Sequence, residues 1–188
     1  MSLTRAERPR DVPRPPETLN IDTLFREHGG RVSRWAAGLG GPAIDVEEVV
    51  QEVFVVAHRR LPEFRGEAKI STWLFRITMR VVQHQRRRAR WRRWLAESAQ
   101  DVAADLPSPQ LDPVETLIRK QAVGELYAIL DQMSDKWRTV LVLANFEQLG
   151  AEEIASMNGV KPATARVWLH RARLEFQRLS ERRRRGRP

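Results

Sequence analysis

Residues 152–173 read EEIASMNGVKPATARVWLHRAR, and their reading decides the fold. Glu152–Met157 spans a short helix, and Asn158-Gly159 supplies a left-handed turn that ends it. Pro162 then opens a longer helix, whose apolar positions Ala165, Leu169, Ala172, Phe176 and Leu179 recur by three and four. Helix, tight glycine turn and helix is the pattern of a helix-turn-helix. Ile154, Ala155, Gly159, Val160 and Ala165 stand where small or apolar residues set a close crossing. The outer face of the second helix carries Lys161, Thr164, Arg166, Val167, His170, Arg171 and Arg173, a basic set suited to a DNA major groove. An ordinary helical hairpin would also place small residues at its crossing. The basic face and the arginine cluster that follows it favour DNA.

Working back toward the N-terminus, the same helical period continues. Ser134 caps a helix that buries Trp137, Val140, Leu141 and Ala144. Asp112-Pro113-Val114-Glu115 reads as a helix start, with a cap, proline in the first position and an acid in the first turn. Leu117, Ile118, Leu126, Ile129 and Leu130 line that helix. Residues 95–113 carry acids and prolines without apolar period and read as a flexible acidic linker.

Before the linker, three helices are expected. The first runs from Ile21 through Leu24, Phe25, Val32, Trp35, Ala36 and Leu39, and Gly40-Gly41-Pro42 ends it. The second starts at Asp45, an N-cap with Glu48 in the fourth place of a capping-box-like pattern, and buries Val49, Val50, Val53, Phe54 and Ala57. The third begins near Ser71, packs Ile70, Trp73, Leu74, Ile77 and Val81 inward, and turns Arg76, Arg80, Gln83, His84 and Arg87 elsewhere. Trp73 has two readings, a base-stacking surface or core packing. Residues 1–20, with Pro9, Pro13, Pro15 and Pro16 among charges, read as a disordered arm.

No stretch alternates with period two for long enough to make a strand. The fold class is therefore all-α, with two small helical domains at 21–94 and 114–182, and a basic tail at 183–188.

Charge sharpens the functional reading. The net charge is +9 over 188 residues, and nearly all the positive charge is arginine, which suits phosphates and base edges. Residues 59–94 hold 12 bases and 2 acids, residues 95–135 hold 2 bases and 8 acids, and residues 161–188 hold 10 bases and 2 acids. Two basic blocks flanking an acidic connector point to two contacts with a polyanion. Arg86, Arg87, Arg88, Arg90, Arg92 and Arg93 would bind phosphates without reading sequence. No segment approaches the ~18 uninterrupted apolar residues of a spanning helix, and no apolar stretch follows the charged N-terminus. There are no cysteines, which excludes disulfides and thiolate metal sites and fits a cytoplasmic protein. His28, His58, His84 and His170 show no ligand spacing, no glycine-rich phosphate loop is present, and Glu47-Glu48 is explained by capping. No enzyme, metal or cofactor is expected.

Three motif sets carry a resemblance. Asp45-Val46-Glu47-Glu48-Val49-Val50-Gln51-Glu52-Val53-Phe54 resembles the polymerase-binding helix of sigma region 2. Phe64-Arg65-Gly66-Glu67-Ala68 followed by Ser71-Thr72-Trp73-Leu74-Phe75-Arg76-Ile77 resembles the "FRGEAS…TWLYRI" signature of extracytoplasmic-function (ECF) sigma factors. Glu152-Glu153-Ile154-Ala155, with Thr164 and Leu169-His170-Arg171-Ala172-Arg173, resembles region 4.

The resemblance implies the following. Asp45, Glu48, Gln51, Glu52 and Phe54 would dock on the polymerase clamp, and core RNA polymerase would also be met through its flap. Phe64, Arg65, Lys69, Ser71, Thr72, Trp73, Arg76, Arg80 and Arg87 would capture a flipped base of the −10 element and hold the melted strand. Lys161, Thr164, Arg166, Val167, His170, Arg171 and Arg173 would read the −35 element as duplex. The acidic linker would thread through the polymerase. An anti-sigma factor would hold the chain inactive, and the chain itself would make no membrane contact. Arg80 and His84 stand where the family usually has Asn and Asp, Lys69-Ile70 replaces a Ser-Phe or Ser-Leu pair, and Trp168 and Lys161 replace Arg and Ser. These departures fall on the reading surfaces. The alternatives are a free-standing helix-turn-helix regulator that binds duplex without polymerase, or a general RNA- or membrane-associated basic protein with salt-steep, sequence-independent binding.

Overall fold

A computed structural model describes residues 20–97 and 113–186, with side chains over 20–95 and 121–186. The expected arm up to residue 19, the linker between 98 and 112 and the cap at Asp112 lie outside the described residues, as do the side chains of Leu117 and Ile118. The described chain is all helical: α1 Ile21–Gly40, α2 Val46–Arg60, α3 Ile70–Glu97, α4 Pro113–Leu130, α5 Asp135–Asn145, α6 Ala151–Asn158 and α7 Pro162–Arg185. Asn20, assigned to the arm, instead caps α1: its Oδ1 accepts from the Thr23 N–H at 2.8 Å. Helix α3 continues to Glu97, past the expected start of the linker, and α7 continues to Arg185 through the start of the expected tail.

The first half, α1–α3, is a three-helix bundle around Leu24, Val32, Trp35, Val49, Val53, Leu74, Phe75 and Val82, each 2% exposed or less. Burying each of these aliphatic and aromatic side chains contributes roughly 1.5–3 kcal/mol. Trp35 and Phe75 meet edge to face with centroids 5.3 Å apart. Asp45 caps α2 as expected, accepting from the N–H of Glu47 and Glu48. The fourth-place acid does something else. Glu48 Oε1 and Glu52 Oε2 both accept from Gln85 Nε2, at 3.2 and 2.9 Å, which ties α2 to α3.

The second half, α4–α7, has a core of Ile129, Leu130, Met133, Leu141, Ala172 and Leu179. Ser134 caps α5, and Gly159, at φ 68°, closes α6 in the left-handed conformation. Glu153 Oε2 accepts from the Gly150 N–H at 3.0 Å and fixes the start of α6.

The two halves pack on each other. One buried cluster runs from α1 and α3 into α5, α6 and α7 and includes Val140, Val142, Leu143, Ile154 and Ala165. Leu143 and Val142 were not among the expected core positions of α5. They are buried because this helix faces both its own half and α1. A Cβ on Gly38 would lie 2.9 Å from Val142, and one on Gly41 would lie 2.4 Å from the Tyr127 ring, so the two glycines allow the close approach. Tyr127 Oη donates to the Ala37 carbonyl at 2.9 Å.

Candidate nucleic-acid interface

The second helix of the helix-turn-helix, α7, keeps its expected residues on the solvent side. Lys161, Arg166, Val167, His170, Arg171 and Arg173 are exposed, and Thr164 is half-buried. They do not form one narrow stripe. At the helical period, Thr164 and Arg171 fall on one flank, Val167 and His170 at the crest, and Arg166 and Arg173 on the other flank. Arg173 lines a 380 Å³ apolar groove with Leu126, Leu130, Leu141, Phe146 and Phe176. Trp168 packs: it meets Trp137 edge to face at 6.5 Å, with Lys136 Nζ 4.1 Å from the Trp137 ring and 5.0 Å from its own. Lys161 makes no side-chain cap, and Pro162 starts the helix.

The loop before α3 presents Arg65 and Lys69 to solvent, with Gly66 at φ 73° making the bend. Phe64 is held against Trp73 with centroids 5.1 Å apart. Trp73 packs on Phe64 and keeps part of its ring open to solvent. Thr72 is only 4% exposed, so its side chain belongs to the wall of the site and not to its open surface. Ser71 is half-buried beside it. Along α3, Arg76, Arg80, His84 and Arg87 are exposed at spacings of four, four and three and form one stripe opposite the buried face.

The closed packing sets this loop against α6. A cleft of 590 Å³ is lined by Arg31, Arg34, Lys69, Ser71 and Thr72 on one side and by Glu147, Glu152, Glu153 and Met157 on the other. Arg34 Nε donates to Glu147 Oε1 at 3.3 Å, and Arg76 Nε donates to the Met157 carbonyl at 3.4 Å. The basic side chains of the first half thus face carboxylates and a helix C-terminal carbonyl of the second.

On α2 the candidates separate. Asp45 caps, Glu48 and Glu52 hold Gln85, and Phe54 is 7% exposed and meets Phe25 edge to face at 5.0 Å. Gln51 is exposed. One turn on, Val55 is 49% exposed, an apolar surface position that the sequence reading missed. The signal was present, because Val55 follows Gln51 by four and falls outside the buried stripe. Among the described residues, no three His, Cys, Asp or Glu side chains gather as a metal site.

The model for "Sigma-70 region 2" matches residues 24–92, and that for "Sigma-70, region 4" matches residues 124–176. The chain belongs to the sigma-70 family, in its ECF subgroup. It is 34% identical over 159 residues to the ECF RNA polymerase sigma factor SigE of Mycolicibacterium smegmatis, covering 83% of this chain and 60% of that one. It is 31% identical over 137 residues to the RNA polymerase sigma-H factor of Pseudomonas aeruginosa, covering 70% of each. The fold matches that of RpoE, solved with the anti-sigma factor NepR from Bartonella quintana, at a TM-score of 0.56 and 19% identity over 85% of this chain and 96% of that one. In this sigma factor the region 2 match falls within α1–α3 and the region 4 match within α4–α7, and the two halves are called region 2 and region 4 accordingly.

Proposed function

We propose that this sigma factor binds core RNA polymerase and directs promoter-specific initiation, with region 2 opening the −10 element and region 4 reading the −35 element. The observation that carries the reading is the pair of exposed basic surfaces, one on each matched half, in the family's order along the chain. The loop at Phe64–Lys69 and the Arg76–Arg80–Arg87 stripe offer a rim and a backbone track for a melted strand, and stabilising an extruded base offsets the few kcal/mol that unstacking costs. The crest of α7 offers Val167 and His170 to base edges, with Lys161, Arg166 and Arg171 for phosphates and guanines. Gln51 and Val55 on the outer face of α2 offer a surface for the polymerase clamp. The apolar groove between α4, α5 and α7 has the shape to seat a helix of the polymerase flap. The chain acts as a specificity subunit with no reaction of its own, in the cytoplasm where polymerase works.

The closed packing has a functional reading. Glu147, Glu152 and Glu153 occupy the side of the cleft that a phosphate backbone would approach. Promoter engagement therefore requires the two halves to separate. RpoE of Bartonella quintana is held in complex with the anti-sigma factor NepR, and an anti-sigma factor that clasped both halves of this chain would hold its closed state. A free-standing regulator gives no reason for the region 2 motifs and is not favoured. Permanganate reactivity of thymines on promoter DNA tests the reading: unpaired thymines near −10 should appear only with core polymerase and the chain together, and their absence with both present rejects it.

A further inference from the structure

The last turns of α3 leave apolar surface where a soluble helix normally hides it. Trp91 is 61% exposed, Trp94 60% and Leu95 48%. The two indoles stand together, with centroids 5.2 Å apart and planes tilted by 39°. Around them residues 87–95 carry Arg87, Arg88, Arg90, Arg92 and Arg93 and no acid, and all five arginines are exposed. Within the described fold the two tryptophans meet each other and leave most of their surface open among arginines, an arrangement that suits a ligand.

Position says which ligand. Counting along the helix, Arg76, Arg80, Arg87, Trp91 and Trp94 follow by four, seven, four and three, so the tryptophans continue the exposed arginine stripe of region 2. From Arg76 to Trp94 the stripe extends about 27 Å at 1.5 Å per residue. Arginines tracking a backbone, with aromatic faces at one end, are the two components of single-strand binding: phosphates take the charge and bases stack on the rings. A membrane surface would instead ask for an apolar face segregated from the charges, whereas here arginine and tryptophan share one stripe. We propose that Trp91 and Trp94 form a stacking platform for unpaired bases of single-stranded DNA, extending the region 2 track by two helical turns. That the strand comes from an opened promoter rests on the sigma-factor reading; the stacking itself does not.

The test uses the full chain without polymerase, a labelled oligothymidine and a duplex of the same length, read by anisotropy at fixed salt. The variant W91A/W94A should bind the single strand about tenfold or more weakly than the unmodified chain. Its duplex affinity should change less than twofold, and W91F/W94F should retain most single-strand binding. Single-strand affinity unchanged in W91A/W94A would overturn the proposal, and so would an equal loss for strand and duplex. If the acidic segment between 98 and 112 covered the pair, the alanine variant would gain affinity, which also overturns it. Tryptophan-dependent sedimentation with phosphatidylglycerol vesicles, without tryptophan-dependent oligothymidine binding, would assign the patch to a membrane surface instead. A chain that passes this test yet yields no transcript with core polymerase would sink the sigma reading and leave the platform standing.

Discussion

Arg86 of region 2 and Asp131 of region 4 are joined across the closed interface, with Nη2 donating to Oδ1 at 3.0 Å. The same guanidinium donates to Asp135 Oδ1 at 2.9 Å while its side chain is 6% exposed. Asp131 also accepts from Arg138, whose side chain is 1% exposed and which stacks over the Tyr127 ring. Burial and, next, the neighbouring Arg86 charge hold the Arg138 guanidinium below its usual pKa. Asp131 is therefore shared by two buried arginines, and Arg86 has Asp135 as a second carboxylate partner.

Asp131→Asn should destabilise the chain more than Arg86→Ala does. The first takes its carboxylate from Arg138, which is 1% exposed, and leaves Arg86 with Asp135, whereas the second leaves carboxylates that are about one-third exposed and can hydrate. Losses of roughly 2–4 and 1–2 kcal/mol are expected in chemical denaturation. The reverse ranking would show that the pair contributes little to the closed state.

Tyr127 is the chain's single tyrosine, so its phenolate absorbance reports on the interface alone. Burial raises its pKa above the usual 10.0. A group whose pKa is raised in the folded state contributes stability that is complete below its unfolded value and is lost as pH rises through the folded value. The phenol should titrate late, and the closed state should weaken only above about pH 10. Tyr127→Phe should cost about 1 kcal/mol, for the bonds to the Ala37 and Gly38 carbonyls. Ionisation at the ordinary value would mean that the ring is free and the halves are apart.

Gly41→Ala should loosen the same interface by roughly 1–3 kcal/mol, because φ is 71° there and the added Cβ would meet the Tyr127 ring. Scattering should report a larger radius of gyration for this variant. An unchanged radius would indicate that the ring moves aside without separating the halves.

Surface variants should separate the two contacts. Arg171→Ala should weaken promoter binding by the holoenzyme about fivefold or more, as expected for one lost base or phosphate contact, and leave binding to core polymerase intact. Gln51→Ala with Val55→Ala should do the reverse. Phe54 is unsuitable for this purpose, since it packs on Phe25 and its loss would act through the fold. Loss of both activities in either variant would contradict the division of labour.

The helices were legible because their signals are local. The Gly159 turn, the Asp45 and Ser134 caps and the three-four spacing in α1 and α7 each act within a few residues. The basic faces were legible for the same reason, since a helical period assigns Arg80 or His170 to solvent. What depends on distant partners was not. Glu48 reads as a capping acid until Gln85 of another helix is seen to hold it. Phe54 reads as a polymerase contact until Phe25 covers it, and Val142 and Leu143 become core only because region 2 packs on α5. Trp91 and Trp94 carried no motif, and only their shared exposure made them visible.

Run-off transcription tests the central claim most directly. Core RNA polymerase would be assayed with and without the chain on DNA recovered from the chain's own binding sites. The account predicts discrete transcripts that appear only when core enzyme and the chain are combined, and that weaken with Arg171→Ala. Tight duplex binding by the chain alone, with no stimulated transcript from any recovered site, would contradict it.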